Sequence, residues 1–235
     1  MSLVLNKIYN EDCLEGMKKI DNKSIDMILC DLPYGTTGYK WDTIIPVGEL
    51  WEQYERIIKD NGAIVLTAQT PFDKVLGYSN LKLLRYEWIW KKESGTGFFN
   101  AKKMPLKIHE NILVFYKKLP TYNPQMREGK PYTIRQGCAS TNYRNYTAKE
   151  IITVNDGKRY PLSVLEYQRD KEKIHPTQKP VALFEYLIKT YTNEGETVLD
   201  NCMGSGTTAI ACLNTNRNFI GFELDKGYFD IAKTE

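Results

Sequence analysis

Four short apolar runs constrain this chain more than any other feature. IDMILCDL at 25–32 and AIVLTA at 63–68 are nearly continuous, and TVLDNC at 197–202 and NFIGFEL at 218–224 repeat the theme. A strand with one wet face alternates polar and apolar residues. A continuous run needs cover on both faces, the condition of a parallel sheet held between two layers of helices. The stretches between the runs supply those layers. VGELWEQYERIIKDNG and PVALFEYLIKTYTNEG carry apolar residues at helical spacing, and Gly62 reads as the cap that ends the first. CLEGMKKI after Asp12, TPFDKVLGYSN, TTAIACLNTN and KGYFDIAKTE read as further helices; NKIYNED, YEWIWKK and NILVFYKK read as further strands. The expected fold class is α/β, a doubly wound and mostly parallel sheet.

From Lys117 to about Lys173 the texture changes to proline, glycine, asparagine and tyrosine, with only short strand-like pieces such as IITV. This stretch reads as an inserted, loop-rich lobe. Between Lys117 and Ile174 twelve Lys and Arg face six Asp and Glu, whereas the whole chain carries a net charge of only +3. The lobe is therefore the basic face of a chain that is otherwise net acidic. The five cysteines are odd in number and lack CxxC spacing, and only two histidines accompany them, which argues against a zinc site or a disulfide framework. No apolar run approaches the ~20 residues of a membrane span. The start, MSLVLNKIYNEDC, turns polar too quickly for a secretory signal. A reduced, cytoplasmic protein is the expectation.

VLDNCMGSGTTAIACL places Gly204 and Gly206 between a strand and the start of a helix. Glycines there let backbone approach a ligand closely, and the unpaired amides of the helix start attract an anion. Thr207 and Thr208 add hydroxyls to the first turn, and Glu223 ends the next strand, where a carboxylate can accept from a ribose diol. A phosphate loop of the Walker type needs a lysine where this chain has Thr207. A nicotinamide fingerprint is formally matched, with Ala209 as its third small residue. The strands a dinucleotide fold needs downstream all lie upstream here, so S-adenosylmethionine suits the strand–loop–helix–strand unit better.

Asp31-Leu32-Pro33-Tyr34 closes the first apolar run. A carboxylate, a proline and an aromatic ring are poor core material, but they suit one task. An exocyclic amine on an aromatic base is a weak nucleophile, because its lone pair is delocalised into the ring. Two acceptors gripping its hydrogens favour a pyramidal nitrogen. Asp31 offers one through its carboxylate and Leu32 the other through its carbonyl, held extended by Pro33. Tyr34 offers a face on which a base can stack. A base inside a duplex cannot reach such a pocket unless it is flipped out.

These motifs resemble the beta group of DNA amino-methyltransferases, in which the catalytic tetrapeptide precedes a target-recognition lobe and the cofactor loop comes last. The family's tetrapeptide is usually Asp-Pro-Pro-Tyr, with Leu32 here in place of the first proline. Its cofactor motif resembles Asp-Pro-Phe-x-Gly-Ser-Gly, where this chain reads Asp200-Asn201-Cys202-Met203-Gly204-Ser205-Gly206. IHPTQKPVALFEYLI is similar to the family's segment ahead of the cofactor strand, implying that Thr177, Gln178, Lys179 and Pro180 line the methionine pocket. YNEDCLEGM resembles the adenine-contacting motif, with Asp12 accepting from the adenine amino group and Cys13 donating its amide. HENILVFYK resembles the strand that closes the base pocket. No catalytic role is expected for His175.

The resemblance implies a circularly permuted, Rossmann-like, seven-stranded sheet in which NKIYNED stands in for a strand missing after Glu223. It divides the chain into a catalytic half (1–116), a target-recognition insertion (117–174) and an S-adenosylmethionine-binding half (175–235). Within the insertion Arg127, Arg135, Asn142, Arg144, Asn145 and Tyr146 are candidate DNA contacts. The implied function is site-specific adenine-N6 methylation of double-stranded DNA, because an Asp heading the tetrapeptide favours adenine. Alternatives are cytosine-N4 methylation, methylation of an RNA or protein amine, a non-catalytic DNA-binding role and, last, a nicotinamide oxidoreductase. A homodimer and a companion restriction endonuclease are assemblies the resemblance leaves open.

Overall fold

The computed structural model describes residues 3–35, 42–136, 151–170 and 178–233. It has two compact units, Met1–Asn123 with Ser163–Glu235 and, between them in sequence, Pro124–Leu162.

The larger unit opens with β1 (Lys7–Tyr9), α1 (Cys13–Met17) and β2 (Ile25–Asp31), followed by α2 (Val47–Ile57), β3 (Ile58–Ala68) and α3 (Phe72–Ser79). β4 (Leu84–Thr96) and β5 (Lys107–Phe115) form a hairpin with a short 3₁₀ turn, Phe98–Asn100, at its tip. In the smaller unit β6 (Arg127–Glu128) pairs with β9 (Lys158–Arg159), and β7 (Tyr132–Gln136) with β8 (Ile151–Asn155), both antiparallel. The larger unit resumes with β10 (Val164–Glu166), α4 (Val181–Tyr191), β11 (Thr197–Asp200), α5 (Thr207–Asn214), β12 (Asn218–Phe222) and α6 (Lys226–Ala232).

Eight strands make one sheet in the order β1-β12-β11-β2-β3-β5-β4-β10, in which only β5 runs antiparallel to its neighbours. The seven strands expected are there, and β10 adds an eighth beside β4. β1 lies parallel to β12 with Lys7 opposite Ile220, so the start of the chain supplies the edge strand on the cofactor side.

The continuous apolar runs are explained by the packing. Along β2, Ile28 and Cys30 belong to one buried cluster with Met17, Leu50 and Tyr54 of α1 and α2, while Met27 and Leu29 belong to a second with Leu183 and Leu187 of α4. Successive side chains point to opposite faces, so both faces of β2 must be apolar. Gly62 is a correction. α2 ends at Ile57 and β3 begins at Ile58, which puts Gly62 inside the strand. The β2–β3 register shifts between Ile25 and Met27, and a side-chain carbon on Gly62 would lie 2.7 Å from the Asp26 carbonyl oxygen. The glycine is required by a bulge, not by a helix cap.

Candidate active site

The site lies where the strand order reverses. β11 and β2 are neighbours, yet the chain leaves β11 toward α5 on one face and β2 toward α2 on the other. Ligands of open α/β sheets bind in the crevice such a reversal leaves beyond the carboxyl ends of the strands. Asp31 ends β2 and Asp200 ends β11. A cavity of about 930 Å³ opens there, large enough for a ligand of several rings.

Asp31 shares the face of Met27 and Leu29, the face on which Lys179 enters just ahead of α4. The tetrapeptide is tied into a network of charges. Lys179 Nζ lies 2.5 Å from Asp31 Oδ2 and 3.2 Å from Glu110 Oε2. Glu110 also takes Lys92 at 2.5 Å and Gln69 Nε2 at 3.1 Å. Thr67 donates to Asp31 Oδ1, and the Tyr34 hydroxyl donates to the same oxygen at 2.7 Å. Lys92, Glu110 and Lys179 are all buried.

Burial disfavours the charged form of all three groups; at Glu110 and Lys179 their partners outweigh it. For Glu110, burial pushes the carboxyl up, but Lys179 and Lys92 outweigh it and bring it down to about 2. For Lys179, burial pulls the ammonium down, while Asp31 and Glu110 hold it above its usual range. Lys92 stays below its usual range, burial exceeding the help of Glu110. Burial, then the charges of Asp31 and Glu110, raises the Tyr34 phenol, which stays neutral and able to donate. The Tyr34 ring is stacked on Phe72 with centroids 5.5 Å apart, and Lys179 Nζ is 5.6 Å from its centre. Leu32 buries its side chain in the core on the α2 face, and Leu32 and Pro33 both line the cavity.

Across the cavity, Gly204 and Gly206 adopt left-handed backbone, φ +57° and +99°, in the turn before α5. A side-chain carbon on Gly204 would project into open space, whereas one on Gly206 would lie 3.4 Å from Ala232 of α6. Gly204 thus lines the cavity and Gly206 does not. Glu223 receives the amide of Gly204 at 2.7 Å and that of Asp225 at 2.8 Å. Burial still holds its carboxyl above the usual range. Asp200 receives the Cys202 amide at 3.0 Å and the Thr208 hydroxyl, yet burial lifts its carboxyl to about 6. Asp12 caps α1 through the amides of Leu14 and Glu15 while also facing the cavity, beside Cys13.

Ser205, Thr207, Thr208 and Gln178 also line the cavity; Pro180 caps α4 outside it, and Thr177 lies outside the described residues. His175, Asn142, Arg144, Asn145 and Tyr146 are likewise outside the described residues. The resemblance implies Lys179 beside the methionine part of a cofactor; it lines the cavity, and its ammonium pairs with Asp31. Thr67, Lys92 and Glu110 escape the sequence reading, although parity carries a signal. Lys92 continues the inward row of Trp88 and Trp90, and Glu110 that of Ile112 and Val114, so each charge falls where the pattern demands an apolar residue.

A cleft with an open glycine turn, helix-start amides and a buried carboxylate on the following strand fits S-adenosylmethionine, which has a carboxylate at one end and a ribose diol toward the other. Comparison with known proteins agrees. A DNA methylase family profile matches residues 25–234. Among curated relatives, Type II methyltransferase M1.MboII of Moraxella bovis is 29% identical, over 98% of this chain and 96% of its own length. DNA adenine methyltransferase YhdJ of Escherichia coli is 28% identical, over 96% and 80%. Among solved structures, the complex of M1.HpyAVI with S-adenosylmethionine superposes with a TM-score of 0.65 at 26% identity, over 97% and 98% of the two chains. The cytosine-N4-specific PvuII DNA methyltransferase, at 15% identity and a TM-score of 0.68 over 99% and 86%, shares the fold. With fold, cleft and sequence in agreement, the chain belongs to the N6-adenine/N4-cytosine DNA methylase family, whose cofactor is S-adenosylmethionine.

Proposed function

We propose that the chain methylates the N6 amine of an adenine drawn out of duplex DNA into the Asp31 pocket. The observation that carries this reading is the environment of Asp31, a carboxylate backed by the buried Lys179 ammonium and open to the cavity. The choice of adenine rests on the acid that heads the tetrapeptide and on a relative named as a DNA adenine methyltransferase. The bound cofactor supplies an electrophilic methyl group. The protein's part is to hold the amine: Asp31 and the Leu32 carbonyl accept its two hydrogens and aim the nitrogen lone pair, so orientation supplies much of the rate. Asp31, ion-paired with Lys179, is the nearest base for the proton the amine sheds.

Gly204, Ser205 and Thr207 would meet the cofactor's carboxylate end, Glu223 its ribose, and Asp12 and Cys13 its adenine. Pro124–Leu162 is the compact part of the target-recognition insertion, in which Arg127 and Arg135 meet the DNA. The test is transfer from methyl-labelled S-adenosylmethionine to unmethylated duplex DNA, followed by digestion to nucleosides. Label in N6-methyladenine is expected; label in N4-methylcytosine would correct the base. Asp31→Ala should abolish transfer while cofactor affinity stays within about threefold; retained turnover would overturn the role of Asp31.

A further inference from the structure

The β4–β5 hairpin both walls the cavity and extends beyond it. Trp90, Lys92, Thr96 and Glu110 line the pocket from its two arms. The last paired rung is Thr96 with Lys107, and Lys107 Nζ reaches the Gln69 side chain and the Thr70 carbonyl at 3.4 Å, fixing the root of the tip to the rim. Past that rung Gly97, at φ +91°, turns the chain into the 3₁₀ segment Phe98–Asn100. Here Phe98 is 69% exposed and Phe99 fully exposed. Neither belongs to either buried cluster, and both lie within three residues of the pocket-lining Thr96.

Two adjacent, exposed phenylalanines on an ordered turn call for an occupant. The charge around them narrows the choice. From Ser94 to His109 the hairpin carries Lys102, Lys103 and Lys107, all exposed, and no acid at all. Aromatic rings among cations without anions suit stacked bases along a phosphate backbone. The register of the two arms shifts between Lys91 and Thr96, just before the tip, the kind of irregularity found where a strand re-aims a side chain.

We propose that Phe98 and Phe99 form a wedge that enters the base stack beside the nucleotide drawn into the Asp31 pocket. Extruding a base leaves a gap and unpaired neighbours, and an apolar side chain between base steps fills it. This rests on the function proposed above and assigns the hairpin, not the basic lobe, the task of opening the duplex.

The test begins with the wild-type chain, whose modified site is read by sequencing a methylated plasmid. Two synthetic duplexes of that site follow, one fully paired and one with the target base opposite an abasic position. For Phe98→Ala/Phe99→Ala, kcat/KM should fall about tenfold or more on the paired duplex and stay within about twofold of wild type on the unpaired one. Cofactor affinity should be unchanged, and Phe99→Trp should keep most of the activity on paired DNA. Equal losses on both duplexes, or none on either, would overturn the wedge. So would a loss that accompanies conversion of a dimer to monomers in sedimentation, which would make the patch a contact between copies. A wild type that methylates no DNA would overturn the proposed function and the wedge together.

Discussion

Asp31 rests with both oxygens engaged, Oδ2 by Lys179 and Oδ1 by Thr67 and Tyr34. Oδ1 already accepts from two donors, so an amine that binds there competes with Thr67 and with the Tyr34 phenol. Tyr34→Phe keeps the ring and removes the competitor. Its saturating rate should stay within about threefold of wild type with an equal or lower KM for DNA, whereas Tyr34→Ala should lose about tenfold or more. Steady-state kinetics decide, and a loss in Tyr34→Phe equal to that in Tyr34→Ala would give the hydroxyl a chemical role. We propose that Lys179 acts by positioning Asp31, with which it is ion-paired. Lys179→Met leaves the buried Glu110 and the Asp31 carboxylate short of a cation, and kcat should fall about a hundredfold while cofactor Kd moves by no more than about threefold. Lys179→Arg should restore part of the loss. If Kd rises as steeply as kcat falls, Lys179 serves the cofactor instead.

At the scale of elements, the bulge between β2 and β3 hangs on one residue. Gly62→Val would press a side chain into the Asp26 carbonyl, an atom fixed by the sheet, and should destabilise the fold by roughly 2–3 kcal/mol in urea titration. An unchanged midpoint would mean that the strands can part there freely. The misreading of Gly62 shows what local pattern can carry. A glycine after an amphipathic run resembles a helix cap, and nothing in the flanking sequence reveals that the strand has already begun at Ile58; only the neighbour across the bulge explains it. The strands β2, β3, β11 and β12 were legible because cover on both faces leaves continuous apolar runs. The tetrapeptide and the glycine turn were legible as segments, and both line the cavity. The ring of Thr67, Lys92 and Glu110 around Asp31 was not legible, since three strands contribute to it and register alone brings them together.

For the whole molecule, two buried carboxyls give the stability curve opposite slopes. Asp200 holds its proton up to about pH 6 when folded, against about 3.8 when unfolded, so the folded state binds the extra proton between those values and stability falls as pH rises through them. The shift corresponds to roughly 3 kcal/mol. Glu110 has the reverse sign: at about 2 when folded, against 4.5 when unfolded, it adds stability above pH 4.5 that is lost as pH falls toward 2. Asp200→Asn should therefore gain on wild type progressively between about pH 4 and 6 and hold a constant difference above that. Urea unfolding across the range reads it, and a difference independent of pH would show that Asp200 does not titrate there.

β1 has a consequence for the order of events in the life of the chain. Tyr9 accepts the amide of Glu223 at 3.0 Å, and the Asn10 side chain donates to the Glu223 carbonyl at 2.8 Å. The strand that steadies Glu223 is thus made long before its partner, 213 residues separating Asn10 from Glu223. During synthesis the early strand must wait, unpaired, until the ribosome has released all that lies between. Closure of so long a loop comes late and slowly. The cofactor cleft, whose floor depends on that pairing, is then among the last parts of the molecule to be finished, and a nascent chain cannot begin to work before β12 has emerged.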